Sequence, residues 1–392
     1  MNSVCILVCS ALLVGTTFAE EKCSIVFPQK GAAFRPLLYN ADETELLLEN
    51  HEGAYKVPSG NSVIFTCKQH EITDETIHSV IAHCRNGQLV DENGQSVEPS
   101  EISCQLRVLE LKPVLSTKCS GSLAKYQFHK PGSQDLSTVA ETCYDIDRNI
   151  PVYSHYKVAL PPQFLENEDL DPAPYMSAVD ILSVYRSDEI NKVVTKLLGE
   201  GHVRRENVLY TVSLIPKEHL HAQFKDVSRR AHNLITLWDN VLYGNFENLV
   251  QDIRKLRKHQ RTLEVYSGVS QTPAQLTNSK GKLTDLYLKT RRTQRSFPIP
   301  EYYWAVVYER ESQKAVAFII RNDLEGSTTN MCRNVCEDLA WAENLKLNDN
   351  YKNAEIGQTT CCNIKEFLNV VKNVPALRDI ATTVGDDGIL KE

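Results

Sequence analysis

Apolar and polar residues alternate in two stretches near the start of the chain, which is the pattern of half-buried β-strands. In ISCQLRVLEL (102–111) apolar positions recur at every second residue, and SVIFTC (62–67) is a second strand candidate. The segments RNGQ (85–88) and ENGQ (92–95) lie between them and carry Asn-Gly pairs that favour tight turns. The pattern therefore predicts a β-rich module in the first third of the chain.

The later part of the chain combines strand and helix periods. NVLYTVSLIP (207–216) and LEVYSGVS (263–270) have the composition of strands. Between them, apolar residues recur at helical spacing at Leu242, Phe246, Leu249, Ile253 and Leu256. These positions predict a long amphipathic helix with one buried face.

A hairpin and a further helix are predicted toward the C-terminus. The apolar runs YYWAVVYE (302–309) and KAVAFIIR (314–321) flank the polar segment RESQ, which is a strong hairpin signal. The segment NMCRNVCEDLAWAENL (330–345) follows as a helix candidate. The order strand, helix, strand, hairpin, helix predicts an α+β fold.

The first 19 residues, MNSVCILVCSALLVGTTFA, form a short apolar run that ends in small residues. This pattern is typical of a secretory signal peptide that is cut after Ala19. A membrane anchor is the alternative, but the run is shorter than the ~20 apolar residues that cross a bilayer. The mature protein is therefore expected to be secreted and soluble.

Removal of the signal peptide leaves ten of the 12 cysteines, an even number that predicts disulfides in a secreted chain. These residues are Cys23, Cys67, Cys84, Cys104, Cys119, Cys143, Cys332, Cys336, Cys361 and Cys362. A helix over 330–345 would place two of them on one face, from which two disulfides to a neighbouring strand are favoured. A zinc site made by the last four cysteines is the alternative, which an oxidising compartment disfavours.

The cysteines fall into two groups separated by a long gap, which suggests two folded units. After the signal peptide at 1–19, residues 20–145 are predicted to form a disulfide-stapled β module. Residues 150–375 are predicted to form a larger domain. Residues 376–392 are predicted to be a tail whose last part, VGDDGILKE, is disordered.

Charge is strongly segregated along the chain, although the net charge is only −7. Residues 201–300 contain 17 lysines and arginines against eight acidic residues, which leaves this window at +9 and the rest of the chain at −16. The densest runs are RKLRKHQR (254–261) and KTRRTQR (289–295). Either run alone is best explained as a solvated face or a helix end, but the whole window favours an anionic partner.

The basic window predicts contacts to the phosphates of DNA or RNA without regard to base sequence, because nothing in it resembles a helix-turn-helix or a zinc finger. The candidate contact residues are Arg204, Arg205, Lys225, Arg229, Arg230, Arg254, Lys255, Arg257, Lys258, Arg261, Lys289, Arg291, Arg292 and Arg295. A sulfated polyanion such as heparin would satisfy the same charges. No membrane partner is expected.

Several segments together resemble the DNA/RNA non-specific endonucleases of the ββα-metal type, in their secreted insect form. The resemblance is carried by IPEYYWAVVYERESQKAVAFIIRND (299–323), LEVYSG (263–268), the segment with Cys332 and Cys336, and Cys361-Cys362 with Phe367. It covers residues 150–370. It implies an α+β domain with an antiparallel sheet and helices, preceded by a small disulfide-stapled β domain.

The resemblance also implies that catalytic groups are missing. In this family an Asp-Arg-Gly-His motif supplies a general-base histidine, which deprotonates the water that attacks phosphorus. The motif falls here on Asp171, Pro172, Ala173 and Pro174, so only its aspartate is present. Asp180 fits a further acidic position six residues beyond the histidine position. No confident catalytic residue is therefore assigned.

The metal-ligand position is changed as well. In the family, an asparagine on the following helix holds one magnesium ion. A family turn matches the segment around Pro216, and counting six residues onward puts Ala222 at the asparagine position, so no metal ligand is assigned. His219 and His221 lie nearby and are the available substitutes as a base or as ligands, because on a strand both would lie on one face.

The residues therefore predict a secreted, degenerate nuclease that binds DNA and RNA through a basic groove with little or no cleavage. No cofactor is expected for binding. A slow endonuclease that uses Mg²⁺ with His219, His221 or Asp171 is the second hypothesis. Binding of sulfated polyanions is the third.

Overall fold

The computed structural model describes the chain in separate stretches, namely residues 22–27, 36–41, 47, 54–66, 79–102, 104, 110–114, 119–129, 136–159, 184–199, 208–257, 262–290, 295–324, 331–385 and 388–392. The predicted signal peptide, the motif at 171–174 and most of the strand candidate at 102–111 lie outside these stretches. None of the helices within them is long and apolar enough to cross a membrane.

Two small antiparallel sheets form the N-terminal part. Their strands are β1 (Cys23–Ile25), β2 (Leu37–Asn40), β3 (Tyr55–Val57), β4 (Ser62–Thr66), β5 (Ser79–Arg85) and β6 (Gln88–Val90). β1 pairs with β3, and the others form a four-stranded sheet in the order β2-β4-β5-β6. The Cys23–Cys84 disulfide joins the two sheets. The strand predicted at SVIFTC is confirmed as β4.

The turn predicted at RNGQ is confirmed as the connection between β5 and β6. Asn86 and Gly87 have φ angles of 49° and 77°. A two-residue hairpin loop of this type needs positive φ at both central positions, and Asn-Gly adopts such angles more readily than other pairs. The local sequence is therefore sufficient to define this hairpin.

A large antiparallel sheet and several two-stranded pairs make up the rest. The strands are β7 (Glu110–Val114), β8 (Ser122–His129), β9 (Leu136–Asp145), β10 (Ile150–Lys157), β11 (Leu209–Ser213), β12 (Leu234–Trp238), β13 (Leu263–Val269), β14 (Gln275–Thr277), β15 (Leu283–Asp285), β16 (Tyr287–Thr290), β17 (Arg295–Pro298), β18 (Tyr302–Glu309), β19 (Lys314–Arg321) and β20 (Thr359–Cys362). Eight of them form one sheet in the order β20-β19-β18-β13-β10-β9-β8-β7. The boundary predicted between residues 145 and 150 falls at the turn between β9 and β10, whose strands pair directly within this sheet.

The helices lie on both faces of the large sheet. They are α1 (Ser187–Leu198), α2 (Glu247–Arg257), α3 (Glu343–Lys346), α4 (Ile364–Val370) and α5 (Pro375–Thr383). Short 3₁₀ turns lie at Pro99–Glu101, Lys217–His219, Ala222–Val227, Ala231–Asn233, Cys336–Asp338, Leu347–Lys352 and Ala354–Ile356, and one further helical turn lies at Asp239–Val241. The combination of antiparallel sheets with packed helices confirms the α+β prediction.

Both faces of the sheet are buried, which explains the continuous apolar runs of β18 and β19. On one face, Val307 and Phe318 belong to the core that includes Leu249 of α2. On the opposite face, Trp304 packs edge-on against Phe367 of α4, with ring centroids 5.5 Å apart. Successive residues of a strand point to opposite faces, so a strand covered on both sides is apolar throughout. The hairpin predicted from these two runs is confirmed.

The amphipathic helix predicted from residue 242 onward is confirmed over most of its length. Leu249, Ile253 and Leu256 are buried on the inner face of α2. The two preceding apolar positions lie in a π-helical segment, Leu242–Phe246, which bends at Gly244. The helical period thus predicted the buried face of α2, while the spacing of Leu242 and Phe246 gave no sign of the π-helical turn in which they lie.

The helix predicted over 330–345 is wrong. This segment contains only a 3₁₀ turn at Cys336–Asp338 and the short helix α3. Its cysteines form the disulfides Cys332–Cys362 and Cys336–Cys361. Because Cys361 and Cys362 are adjacent on β20 and belong to cores on opposite faces of the sheet, their partners do not lie on one face of a helix.

The pairing of these four cysteines excludes them as zinc ligands in this structure, so the disulfide prediction is confirmed for them. A further disulfide joins Cys119 to Cys143, and Cys104 is also disulfide-bonded. Cys67 lies outside the described residues. Bonds of this kind form and persist in oxidising compartments.

The disorder predicted for the C-terminal tail is wrong for its last residues. Leu390 is only 1% exposed and belongs to the main core. The backbone N–H of Ala315 donates to the carbonyl of Gly388, and the indole N–H of Trp341 donates to the carbonyl of Leu390, both at 2.9 Å. The sequence DDGILKE is short and polar around its two apolar residues, so composition alone gave no sign that they pack.

Replacing Leu390 with alanine is therefore expected to lower the free energy of unfolding by about 2 kcal/mol, because a buried leucine leaves a cavity. Denaturant unfolding monitored by tryptophan fluorescence measures this change. Lys391→Ala is the matched control, since Lys391 is half exposed and its 3.7 Å ion pair with Asp338 lies at the surface. Equal stability of the Leu390 variant and the wild type would show that the tail does not pack in solution.

Candidate nucleic-acid interface

Two strands and a helix form a β-β-α unit on one face of the large sheet. β11 pairs antiparallel with β12 from Leu209↔Trp238 to Ser213↔Leu234, and α2 follows β12 along the chain. α2 packs against the Lys217–His219 turn that leaves β11. The Ser267 hydroxyl of β13 donates to the carbonyl of Leu214 at 2.7 Å. The unit is thus anchored to the centre of the sheet.

His219 is held inside this unit and is only 1% exposed. Its Nε2 lies 2.9 Å from the carbonyl oxygen of Val250, and its Nδ1 lies 3.0 Å from the hydroxyl of Tyr156. A carbonyl can only accept, so Nε2 donates and Nδ1 accepts from the tyrosine. Burial, with a contribution from the charge of Arg254, lowers the pKa of His219 to about 4. Both ring nitrogens of this neutral histidine are therefore occupied.

His221 has different surroundings, although it is only two residues away. It precedes the 3₁₀ helix Ala222–Val227, and its ring meets the edge of the Phe224 ring with centroids 6.3 Å apart. Burial, followed by the charge of Arg257, lowers the pKa of His221 to about 4. The segment is not a strand, so the expectation that both histidines would share one face of a strand does not apply.

Ala222, the sequence position assigned to the metal ligand, does not lie on the helix that the resemblance implies. Ala222 lies in the connection between β11 and β12, whereas the helix that follows both strands begins at Glu247. Among the described residues, no group of three or more His, Cys, Asp or Glu side chains is arranged to hold a metal ion. Asp171, Pro172, Ala173 and Pro174 lie outside those residues.

Asn245, just before α2, is a polar residue that the sequence pattern did not single out. Its carboxamide nitrogen donates to the carbonyl oxygens of Asn350 and Gly357 at 2.8 and 2.7 Å. The residue is fully buried. These bonds give Asn245 a structural role at the start of α2, where it ties the helix to the segment before β20.

Asn233 is a second buried asparagine that sequence reasoning missed, and it connects the β-β-α unit to the sheet. Its carboxamide oxygen accepts from the hydroxyls of Thr142 and Ser154, on β9 and β10. Its nitrogen donates to the carbonyl of Val227 at 2.7 Å and to the hydroxyl of Tyr126 at 3.2 Å. Every polar atom of the side chain is satisfied, so Asn233 fixes the connection over the sheet.

A cleft with a volume of about 230 Å³ lies beside the end of α2. Phe128 and Phe224 form one wall and stack on each other with centroids 5.3 Å apart. His221, Lys157 and Arg257 line the remainder together with apolar residues of β9 and β13. Lys157 and the two phenylalanines were not predicted as site residues, because they lie outside the basic window or are apolar.

Arg257 is positioned by a hydrogen bond from its side chain to the backbone of another residue. Its Nε donates to the carbonyl oxygen of Val158 at 2.9 Å. Burial lowers the pKa of Arg257 from its ordinary value, partly offset by the negative charge of Glu311, but an arginine stays protonated at neutral pH. The guanidinium is thus fixed at the cleft.

The predicted basic residues occupy unequal environments in the described part of the chain. Lys255 is exposed and pairs with Glu343 at 3.2 Å, while Arg254 is half-buried on the same helix. Arg229 lies 4.0 Å from Asp226, and Arg230 is buried near Tyr126. A buried arginine of this kind does not present its charge on an open groove, so Arg230 is not a surface contact in this structure.

The structure describes some of the remaining basic candidates and not others. Lys225 lies in a 3₁₀ helix and Lys289 in β16, and both are half-buried. For Arg295 only the backbone is described, at the start of β17. The candidates outside the described residues are Arg204, Arg205, Lys258, Arg261, Arg291 and Arg292. Three described candidates, Arg254, Lys255 and Arg257, lie within the last turns of α2.

Comparison with known proteins gives relatives of one kind. The chain is 22% identical over 387 residues to salivary protein Tsal2A of Glossina morsitans morsitans, covering 93% of this chain and 94% of that protein. It is 24% identical over 273 residues to a salivary endonuclease of Lutzomyia longipalpis, covering 64% of this chain and 61% of that protein. The chain is thus similar to two salivary proteins, one of which is named an endonuclease. The resemblance inferred from the sequence is thereby confirmed.

Two further comparisons give no additional support for a function. No family model matches the chain. Among solved structures, a chain of the EndoG/EndoGI complex is 14% identical, with 47% of this chain and 71% of that chain covered and a TM-score of 0.29. The α+β assignment therefore rests on the strands and helices of this chain itself.

Proposed function

We propose that the protein is a secreted, degenerate non-specific endonuclease that binds DNA and RNA through basic residues and cleaves them slowly or not at all. The observation that carries the proposal is the presence of three cations, Arg254, Lys255 and Arg257, in the last turns of α2, with Arg254 near a histidine whose nitrogens are both occupied. The salivary relatives support a nucleic-acid-related role. The disulfides and the same relatives support secretion.

Binding without base specificity follows from the chemistry of these side chains. Arginine and lysine attract phosphates whatever the base sequence, and phosphate contacts position a protein without reading bases. The Lys255–Glu343 pair is exposed on both sides, with side chains 47% and 68% accessible. Exposed pairs of this kind contribute about 0–1 kcal/mol, so a phosphate can replace the glutamate at low cost.

Weak cleavage is supported by the state of His219, by the residue at position 222, and by the pKa of about 4 that makes His221 a weak base. His219 has no nitrogen left to accept a proton from water, because one donates to a carbonyl and the other accepts from Tyr156. Ala222 has no group that can bind a cation. General-base catalysis contributes about 10²–10⁴-fold to rates, so its loss reduces turnover while leaving phosphate contacts intact. No cofactor is proposed for binding, and Mg²⁺ matters only for the alternative of slow cleavage.

A gel-shift titration on a labelled random-sequence duplex, with Mg²⁺ present and at several salt concentrations, tests the proposal. We expect an intact, shifted duplex whose affinity falls linearly on a log–log plot against salt, with a slope of about −0.9 for each phosphate contacted. Release of label as fragments would instead support the slow nuclease. Absence of a shift at low salt would exclude the nucleic-acid proposal, and heparin binding would then be measured as the remaining polyanion hypothesis.

A further inference from the structure

We infer that the cleft beside the end of α2 is a subsite for a single unstacked nucleotide, with the base against the Phe128–Phe224 wall and the phosphate at Arg257 and Lys157. This inference rests on the proposed nucleic-acid binding and specifies which form of nucleic acid the protein prefers. Neither the salivary relatives nor the basic window assigns such a subsite.

The size and wall of the cleft suit one planar ring. Its volume is about 230 Å³, and a cavity of about 150 Å³ is known to hold benzene. Pockets for drug-sized molecules begin at about 300 Å³, so the cleft is too small for two stacked bases. The wall consists of Phe128 and Phe224, which stack on each other within 23° of parallel and are 7% and 3% exposed, so a base would contact only the small part of this pair that faces the cleft. Aromatic side chains are the usual partners of bases that have left a stack.

The charged groups of the cleft suit the phosphate. Arg257 uses Nε for the carbonyl of Val158, and its terminal nitrogens have no hydrogen-bond partner within the described part of the chain. The ammonium group of Lys157, at the end of β10, has no ion pair there either. The free terminal nitrogens of this half-buried guanidinium can form charge-assisted hydrogen bonds to phosphate, which are about twice as strong as neutral ones, and the nearby Glu311 offsets part of its charge.

His221 is a further polar side chain that lines the cleft. Its ring nitrogens have no hydrogen-bond partner among the described residues, and its low pKa keeps it neutral at pH 7. A neutral imidazole has one donor and one acceptor, which matches the edge of a base better than it matches a phosphate. An anion bound at Arg257 would also offset the positive charge that disfavours protonation of His221.

A consequence is a preference for single strands and strand ends over uniform duplex. In a duplex the bases are stacked, and a base must be extruded at a cost of a few kcal/mol before it can enter such a cleft. Unpaired strands need no extrusion. Duplex DNA should therefore bind through the surface cations alone, and single strands through the cations and the cleft.

Isothermal titration with 5′-AMP, adenosine and inorganic phosphate tests the subsite on the full protein. We expect 5′-AMP to bind more tightly than either adenosine or phosphate. Phe224→Leu is expected to weaken the binding of 5′-AMP by at least about fivefold through loss of aromatic contact, while leaving phosphate binding unchanged. Arg257→Met is expected to weaken both 5′-AMP and phosphate by about tenfold. Arg378→Met is the matched control, because Arg378 is exposed on α5, which packs on the opposite face of the sheet.

The outcomes separate the subsite from the proposed function. Duplex binding without any binding of 5′-AMP would overturn the subsite and leave the proposed function intact. Equal affinity for phosphate and 5′-AMP would show an anion site without base recognition and would also overturn it. Retained phosphate binding by Phe224→Leu shows that the variant is folded. Binding of 5′-AMP that neither cleft variant alters would place the nucleotide elsewhere.

Discussion

Replacing Arg254, Lys255 and Arg257 with glutamate is expected to weaken duplex binding by about 100-fold or more at ~0.1 M salt, equally for unrelated sequences. The three side chains lie within the last turns of α2, where Arg254 and Arg257 share one side of the helix and Lys255 lies on another. Each phosphate contact that is lost removes about 0.9 from the log–log salt slope, so the slope should fall by up to about 3. Gel-shift titrations of wild type and variant at four salt concentrations measure both quantities.

A matched control separates this surface from net charge. Lys365, Lys372 and Arg378 are exposed on or between α4 and α5, on the opposite face of the sheet, and reversing them changes the net charge equally. Glutamates at a helix C-terminus are unfavourable, so thermal melts and a glutamine version of the α2 variant are needed alongside. An equal loss of affinity in the control would show attraction by overall charge, and no loss in the α2 variant would place the interface elsewhere.

The elements that the sequence predicted well are those whose buried apolar residues recur at a regular spacing. The inner face of α2 and the hairpin of β18 and β19 follow from spacing alone, because a helix or strand covered by a core must repeat its apolar residues. The Asn86-Gly87 turn follows from local backbone preference. These features depend on residues close together in the chain.

The features that were missed depend on distant partners. The cysteine segment before α3 is shaped by disulfides to opposite faces of β20, which the spacing of Cys332 and Cys336 does not encode. Leu390 packs into a core formed by residues far away along the chain. Asn233 and Lys157 become meaningful only when β8, β9 and β10 are placed beside the connection after β11.

Only the positive charge of the site could be predicted from the sequence. Segregation of lysine and arginine into one window is visible in the sequence, and some of these residues do lie on the surface of α2. Burial is not visible in the same way, which is why Arg230 appears among the basic candidates although it lies inside. The two histidines also looked equivalent at a spacing of two, but one lies in the core and the other lines the cleft.

His219 gives the second large prediction, which concerns acid stability. Its pKa of about 4 in the folded protein lies well below the ordinary value of 6.5, because burial disfavours the charged form. The unfolded chain therefore takes up a proton between these two values while the folded chain does not, and stability falls as pH falls. Titration of His219 should leave the free energy of unfolding unchanged above pH 7. It should lower that free energy by about 3 kcal/mol by pH 4.

The variant His219→Gln isolates this contribution, because glutamine does not titrate yet can donate to Val250 and accept from Tyr156. Urea unfolding of both proteins from pH 7.5 to 4 should show a smaller decrease for the variant by about 3 kcal/mol. A residual slope is expected in the variant, since His221 also titrates near 4. Parallel pH profiles would contradict the buried, neutral state of His219. Any divalent-dependent cleavage should be unchanged in this variant, and its loss would instead assign His219 to an active nuclease site.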